Sequence, residues 1–201
     1  LKTELVREWI FVETRGNERV ELIWRIMATP QYGYPSPFAK KVHRAVEYLL
    51  TRKGFPVPEH LEFSLYEITN ILDLNDSGNI LNKIRDALKA IATITIESKG
   101  TYCYLENGEK RFIDKLFGLY DTVILTGETL PNGMTADRNY IKFNEWYLKC
   151  LNSLYIKPLD FPYWNSLRGD IARRLYEYLS FISFATKCKP FRIEYHRLFE
   201  L

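Results

Sequence analysis

Hydrophobic and polar positions along this chain follow two periods, and the points where the period changes mark the elements. Trp9 to Thr14 and Val20 to Ala28 are rich in β-branched and aromatic residues, with the polar Arg15-Gly16-Asn17-Glu18 between them. This predicts a β-hairpin. After the loop Pro30 to Pro35, Ser36 stands at an N-cap position with Pro37 behind it, and Val42, Val46, Leu49 and Leu50 follow at helical spacing until Gly54. A first helix is expected there. Phe55 to His60 carries two prolines and reads as a loop. Leu61-Glu62-Phe63 reads as a short strand, and Ser64 caps a second helix carrying Leu65, Ile68, Ile71 and Leu72, which ends near Asp73. Asn75-Asp76-Ser77-Gly78 is a turn. Beyond it Ile80, Ile84, Leu88 and Ile91 recur at spacings of four, four and three, the buried stripe of a third helix. Thr93 to Glu97, Thr101 to Leu105 and Arg111 to Leu125 then have β character, punctuated by Lys99-Gly100 and by Asn107-Gly108, a strong hairpin signal.

Helix, helix, turn, helix, hairpin is the order of a winged helix-turn-helix, an α+β fold whose third helix is free to enter a DNA major groove beside a hairpin wing. The same order also occurs in domains that never touch nucleic acid, so the pattern leaves both uses open.

After the polar loop Thr126 to Asp137 come a short strand at Tyr140 to Phe143 and a helix from the cap Asn144 to about Asn152. Tyr155 to Pro162 reads as a connector, and a long helix from about Ser166 to Ala185 carries the stripe Ile171, Leu175, Leu179 and Ile182. At a constant offset of 130 residues, Arg44 meets Arg174, and Glu47-Tyr48-Leu49 meets Glu177-Tyr178-Leu179. Phe63 then falls on Ile193, Leu65 on Tyr195, Ile68 on Leu198 and Ile71 on Leu201. This register predicts an internal duplication: a first winged-helix domain over residues 1–126, and over residues 127–201 the N-terminal part of a second, stopping inside its second helix. The opening Leu1-Lys2-Thr3-Glu4 has no initiator Met, which suggests a piece of a longer chain.

Composition narrows the class. The 201 residues are 46% hydrophobic, 15% aromatic and 26% charged, enough apolar side chain for a packed core and too much for a disordered chain. No uninterrupted apolar run reaches the roughly 20 residues needed to cross a bilayer, so no membrane span is expected. Cys103, Cys150 and Cys188 are odd in number and widely spaced. Free thiols and a cytoplasmic location follow as expectations. The net charge of +3 is uneven: residues 1–137 hold 17 Lys/Arg against 19 Asp/Glu, −2, and residues 138–201 hold 11 against 6, +5. A polyanionic partner is one reading of that asymmetry.

On the third helix the buried stripe leaves Asn79, Asn82, Lys83, Asp86 and Lys89 outward. Asn pairs with adenine edges, Lys with guanine edges or phosphates, and Asp can accept from cytosine, so Asn82 and Lys83 lead the base-reading candidates. An ordinary solvated helix face carries the same residue types. Lys99, Lys110 and Arg111 flank the Asn107-Gly108 turn as wing candidates for phosphate contact, with Glu106 and Glu109 beside them as ion-pair partners. In the basic third, Arg168, Arg173 and Arg174, and Lys187, Lys189 and Arg192 beyond them, could neutralise phosphates. Arg173 and Arg174 equally have Asp170 and Glu177 at helical spacing. Catalysis is not expected. Asp73 to Gly78 opens like a calcium loop, but Ile84 stands where the bidentate Glu belongs. His43, His60 and His196 are isolated, no phosphate-binding, dinucleotide or nucleophile-elbow motif occurs, and neither metal nor cofactor is called for.

The segment Ser153-Leu-Tyr155-Ile-Lys157-Pro-Leu-Asp160-Phe-Pro-Tyr163-Trp-Asn-Ser-Leu167, continuing into Ile171-Ala-Arg173-Arg174-Leu175-Tyr176-Glu-Tyr-Leu179, resembles the middle of plasmid replication initiators of the "replication initiator protein A" group. With the N-terminal helix-turn-helix and Leu130 to Tyr140, the similarity spans most of the chain. The resemblance implies tandem winged-helix domains that bind repeated double-stranded sites at a plasmid origin and recruit host replication proteins without being enzymes. It supplies no residue for a second recognition helix. The slightly negative first domain is open to homodimerisation or protein contact as well as DNA. The rival readings are a winged-helix transcriptional regulator and, in another class, a protein-interaction module that binds no DNA.

Overall fold

A computed structural model of the chain describes residues 5–15, 17–154, 156–187 and 189–194. It is an α+β structure with antiparallel sheets, divided into two compact units, Leu1–Tyr155 and Ile156–Leu201. The first unit therefore extends past residue 126, the boundary expected from the sequence.

Its first sheet begins with the expected hairpin, β1 (Val6–Arg15) against β2 (Glu18–Met27), in continuous antiparallel register from Val6↔Met27 to Arg15↔Glu18. β4 (Thr95–Glu106) and β5 (Glu109–Phe117) form the second hairpin, with Asn107 and Gly108 at φ 53° and 79° in the left-handed region that an Asn-Gly turn favours. β2 also pairs with β4, Ile26 opposite Ile96, so the order is β1-β2-β4-β5. Arg25 bridges Glu8 and Glu97 on its two neighbouring strands. A bulge between Ser98 and Tyr102 is stitched by Ser98 Oγ, which accepts from the Tyr102 N–H at 3.0 Å, and by Asp114, which accepts from the Gly100 N–H at 2.6 Å. One face buries Ile96, Ile113 and Phe117 with Cys150, flanked by Trp24, Ile26, Tyr102 and Trp146.

The helical layer follows the predicted order. α1 (Pro37–Thr51) starts where Ser36 accepts from the Ala39 N–H, and it buries Val42, Ala45, Val46 and Leu50. β3 (His60–Phe63) leads into α2 (Leu65–Leu72), which carries a full capping box: Ser64 Oγ accepts from the Glu67 N–H at 3.1 Å, and Glu67 accepts from the Ser64 N–H at 2.7 Å. Asp73 turns the chain at φ 54°, and Ser77 caps α3 (Gly78–Ala92). Ile84, Leu88 and Ile91 are buried under α1, each worth about 1.5–3 kcal/mol of apolar transfer.

A second sheet, β3-β7-β6, was not legible as a sheet in the sequence: β6 is Tyr120–Ile124 and β7 is Asn139–Phe143. β7 lies in its centre, with Ile141 opposite Leu61 on one side and Val123 on the other. α4 (Glu145–Asn152) follows from the predicted cap Asn144, which accepts from the Trp146 N–H at 3.0 Å. Asn152 returns to the loop before β3, accepting from the Val57 N–H at 2.7 Å. Both β7 and α4 thus belong to the first unit.

The second unit holds α5 (Phe161–Ser166), inside and just beyond what reads as a connector, and α6 (Asp170–Ala185). Phe161 and Trp164 are buried, and Tyr163 packs edge-on against Tyr176 at 5.0 Å. The expected apolar stripe of α6 is corrected here. α6 has no buried residue, and Ile171 and Leu179 are 79% and 51% exposed. Residues 190–193, where the duplication places a strand, form none; its second helix, residues 195–201, lies outside the described residues.

Candidate nucleic-acid interface

The turn between α2 and α3 is locked from inside. Thr69, fully buried, hydrogen-bonds Asp76 through its hydroxyl, and the Leu74 N–H donates to the Thr69 carbonyl at 2.9 Å. α3 leaves this turn with Asn79, Asn82, Lys83 and Asp86 exposed, at i, i+3, i+4 and i+7. Those spacings put all four on one face of the helix. Lys89, a turn further on, is solvent-accessible with its side chain 41% exposed, and it reaches Glu128 at 3.9 Å in the segment between β6 and β7.

That segment, residues 125–138, contains what reads in the sequence as the polar loop Thr126 to Asp137, and it folds as a closed extension of the second sheet. The Gly127 N–H donates to the Ala136 carbonyl at 2.8 Å, the Leu130 N–H to Met134 at 2.7 Å, and Thr129 bridges Thr135. Asn139, buried at its base, accepts from the Thr126 N–H at 3.1 Å and donates to the Phe63 carbonyl at 3.1 Å. Arg138 pairs with Glu62 at 3.1 Å and with the capping Glu67 at 3.0 Å. Pro131-Asn132-Gly133 was the available signal for a reversal, Gly133 lying at φ 83°.

The remaining candidates fall elsewhere. Lys99 is exposed on β4 opposite Ile23, and Lys110 and Arg111 are exposed on β5, all in the first sheet. Lys110 lies over the Phe112 ring at 4.9 Å; Arg111 pairs with Glu109 at 2.8 Å and Glu106 at 3.8 Å, the acids that flank it in sequence. In the second unit Arg173 pairs with Asp170 at 3.2 Å and covers the Trp164 ring at 5.6 Å, its side chain 14% exposed. Arg174 reaches Glu177 at 3.5 Å, with its side chain open to solvent. Arg168, Lys187, Lys189 and Arg192 are exposed. α3 is thus the element that gathers sequence-chosen residues onto one solvent face within the first unit.

Elsewhere in the first unit, α1 is braced by a partly buried polar cluster that the sequence left as isolated residues. Tyr147 of α4 donates to Glu47, Arg44 pairs with Glu47 at 2.8 Å, and His43 Nδ1 lies 2.7 Å from the Tyr120 hydroxyl. Burial pushes Glu47 upward, but Arg44, His43 and the Tyr147 hydroxyl outweigh it and hold the carboxyl at about 2. Burial lowers His43 below its ordinary value. The same burial raises the Tyr120 and Tyr147 hydroxyls far above theirs.

No protein-family model matches the chain, and no curated protein matches it by sequence. Its fold does have solved counterparts. A selenomethionine crystal structure of domains 2 and 3 of RctB superposes with a TM-score of 0.56 at 12% identity, covering 99% of this chain and 75% of that one. A second RctB structure, residues 155–483, gives 0.56 at 13% identity over 95% and 73%. At that identity the likeness is one of fold. No helix of the described residues is long and apolar enough to cross a membrane.

Proposed function

With the fold of RctB domains 2–3 as its starting point, we propose that this chain is a DNA-binding replication initiator, built on a winged helix and acting without catalysis. RctB is itself a replication initiator. The carrying observation is the face Asn79, Asn82, Lys83 and Asp86 on α3, free of packing and presented by a rigid capped turn. In this reading α1, β3, α2, α3, β6 and β7 are the winged helix, and the β4–β5 hairpin is an insertion between α3 and β6. The wing of such a domain is the hairpin completing the small sheet that begins between the first two helices. Here that is residues 125–138, joined to α3 by Lys89 and Glu128. Lys99, Lys110 and Arg111 then belong to the insertion instead of the wing.

α3 enters the major groove, where Asn82 pairs with adenine, Lys83 takes a guanine edge or phosphate and Asp86 accepts from a cytosine amine. Arg168, Arg174, Lys187 and Lys189 of the second unit add phosphate contacts, and two linked readers on origin repeats gain affinity from their linkage. Plasmid origin repeats and host replication proteins are the partners the sequence resemblance favours.

Fluorescence anisotropy of this chain against repeat-bearing origin DNA and scrambled duplex, at two salt concentrations, tests the proposal. Selective binding with a log K against log salt slope of several units is expected. Equal, weak binding to both duplexes overturns it.

A further inference from the structure

Arg85 of α3 carries a polar group that nothing satisfies. Its Nε–H is buried without an acceptor although the residue as a whole is only half-buried, and no hydrogen bond, ion pair or ring contact ties its guanidinium to any described residue. A buried donor left unpaired costs free energy, so such a group in a folded protein calls for a reason. Four other arginines of the first unit show the ordinary solution: Arg25 bridges Glu8 and Glu97, Arg44 holds Glu47, Arg111 holds Glu109, and Arg138 holds Glu62 and Glu67. Arg85 is packed at its stem and open at its tip, where only an anion arriving from solvent can meet it.

The helix itself offers no acid. One turn to either side of Arg85 stand Leu81 and Asn82, then Leu88 and Lys89, and Asp86, next in sequence, points about 100° around the helix. Lys89 at i+4 adds a like charge on the same side, an arrangement that weakens a helix standing alone. The same lysine shows where that side leads, since it reaches Glu128 at 3.9 Å. Arg85 thus lies one turn, about 6 Å along the axis, before Lys89 on the flank facing residues 125–138, and three residues after the exposed Asn82. It occupies the boundary between the face that carries the base-reading candidates and the extension of the second sheet.

In a duplex the major groove and the minor groove beside it are separated by one sugar–phosphate strand. A helix in the first groove with a wing over the second straddles that strand, and a side chain at the boundary between them faces its phosphates. We propose that Arg85 grips a backbone phosphate of the strand that passes between α3 and residues 125–138, and so fixes the register in which Asn82 and Lys83 meet the base edges. The proposal rests on the reading of α3 as the recognition helix and adds a residue that the face Asn79, Asn82, Lys83 and Asp86 does not include. Arginine suits the task because its planar fork can give two parallel N–H···O bonds to phosphate oxygens. The phosphate also settles the like charges of Arg85 and Lys89, which the free chain holds side by side with Glu128 alone as their carboxylate.

Anisotropy titrations of the 201-residue chain on origin-repeat duplex and on its single-base variants, over a salt series, test this. Arg85→Gln is expected to weaken binding about tenfold on every duplex, to keep their ranking and to reduce the slope of log K against log salt by about one. Arg85→Lys, which keeps the charge and loses the fork, should restore the slope and part of the affinity. Replacing phosphates one at a time with neutral methylphosphonates should find one linkage whose change weakens the parent about tenfold and leaves Arg85→Gln unaffected. The melting temperature of Arg85→Gln without DNA should stay at the parent's, which separates a phosphate contact from a structural role. A parent that binds selectively while Arg85→Gln shows the same affinity and slope overturns the proposal and leaves the α3 reading standing. Loss confined to one base variant also overturns it, since Arg85 then reads a base. A parent without selective binding overturns both this proposal and the reading beneath it.

Discussion

Glu47 shows how much one partly buried carboxylate can hold together. It joins α1 to α4 through Tyr147, and its charge is matched by Arg44 on its own helix. Its folded pKa of about 2 lies below the ordinary 4.5, so its contribution is complete above about pH 4.5 and is lost as pH falls toward 2. That displacement corresponds to roughly 3 kcal/mol. His43 acts in the same direction. Its folded pKa lies below 6.5, so the unfolded chain binds the proton more readily and stability begins to fall as pH drops through that value. Glu47→Gln should cost about 2–3 kcal/mol at pH 7, and the deficit should shrink on acidification to pH 3. Urea unfolding at both pH values reads it; a deficit unchanged by pH would show that the charge is not what stabilises. On α3, Asn82→Ala removes the group proposed to read adenine without touching the core. It should lower affinity for the preferred site by about 1–3 kcal/mol, relax the preference at one base and leave the melting temperature unchanged.

Among the elements, the helices of the first unit were the most legible, because their information is local. Ser36, Ser64 and Asn144 announce helix starts by chemistry confined to a single turn, and all three cap as their positions suggest. The Asn107-Gly108 turn was equally readable, since its left-handed backbone is written in two residues. Strand partners were not. Nothing near Val20 to Ala28 says that β2 will pair with β4, and nothing near Tyr140 says that β7 will lie between β3 and β6, because those choices are made by contacts far apart in sequence. The same limit made Thr126 to Asp137 look like an open polar loop and hid the partner of Lys89, Glu128, which lies on that extension. Glu67 couples these levels, closing the α2 capping box and holding Arg138 at the end of the extension. Ser64→Ala should cost about 1 kcal/mol. Glu67→Ala should cost more and also speed amide exchange across residues 125–138, whereas Ser64→Ala should leave that exchange near its parent rate. Equal effects of both variants on exchange would separate Arg138 from the extension's stability.

For the whole molecule, the folded units and the charge asymmetry have different boundaries. The chain changes from −2 to +5 at residue 137, while the compact units meet at Tyr155 and Ile156. Arg138, Lys142 and Lys149, counted on the basic side, lie in the first unit and pair with Glu62, Glu59 and Glu106. In the second unit Arg168, Lys187, Lys189 and Arg192 are exposed, as is Lys83 on α3. On the proposed function, bases are read by α3 and salt-sensitive affinity comes from the second unit. In that proposal α3 and residues 125–138 meet the duplex, and the β4–β5 hairpin does not. Mapping backbone amide shifts of the labelled chain on titration with origin-repeat DNA tests this most directly. Perturbations are expected to gather on Asn79, Asn82, Lys83, Asp86 and the 125–138 extension, with Asn107 and Gly108 unmoved. Perturbations centred on the Asn107-Gly108 turn, or none on α3, would contradict it.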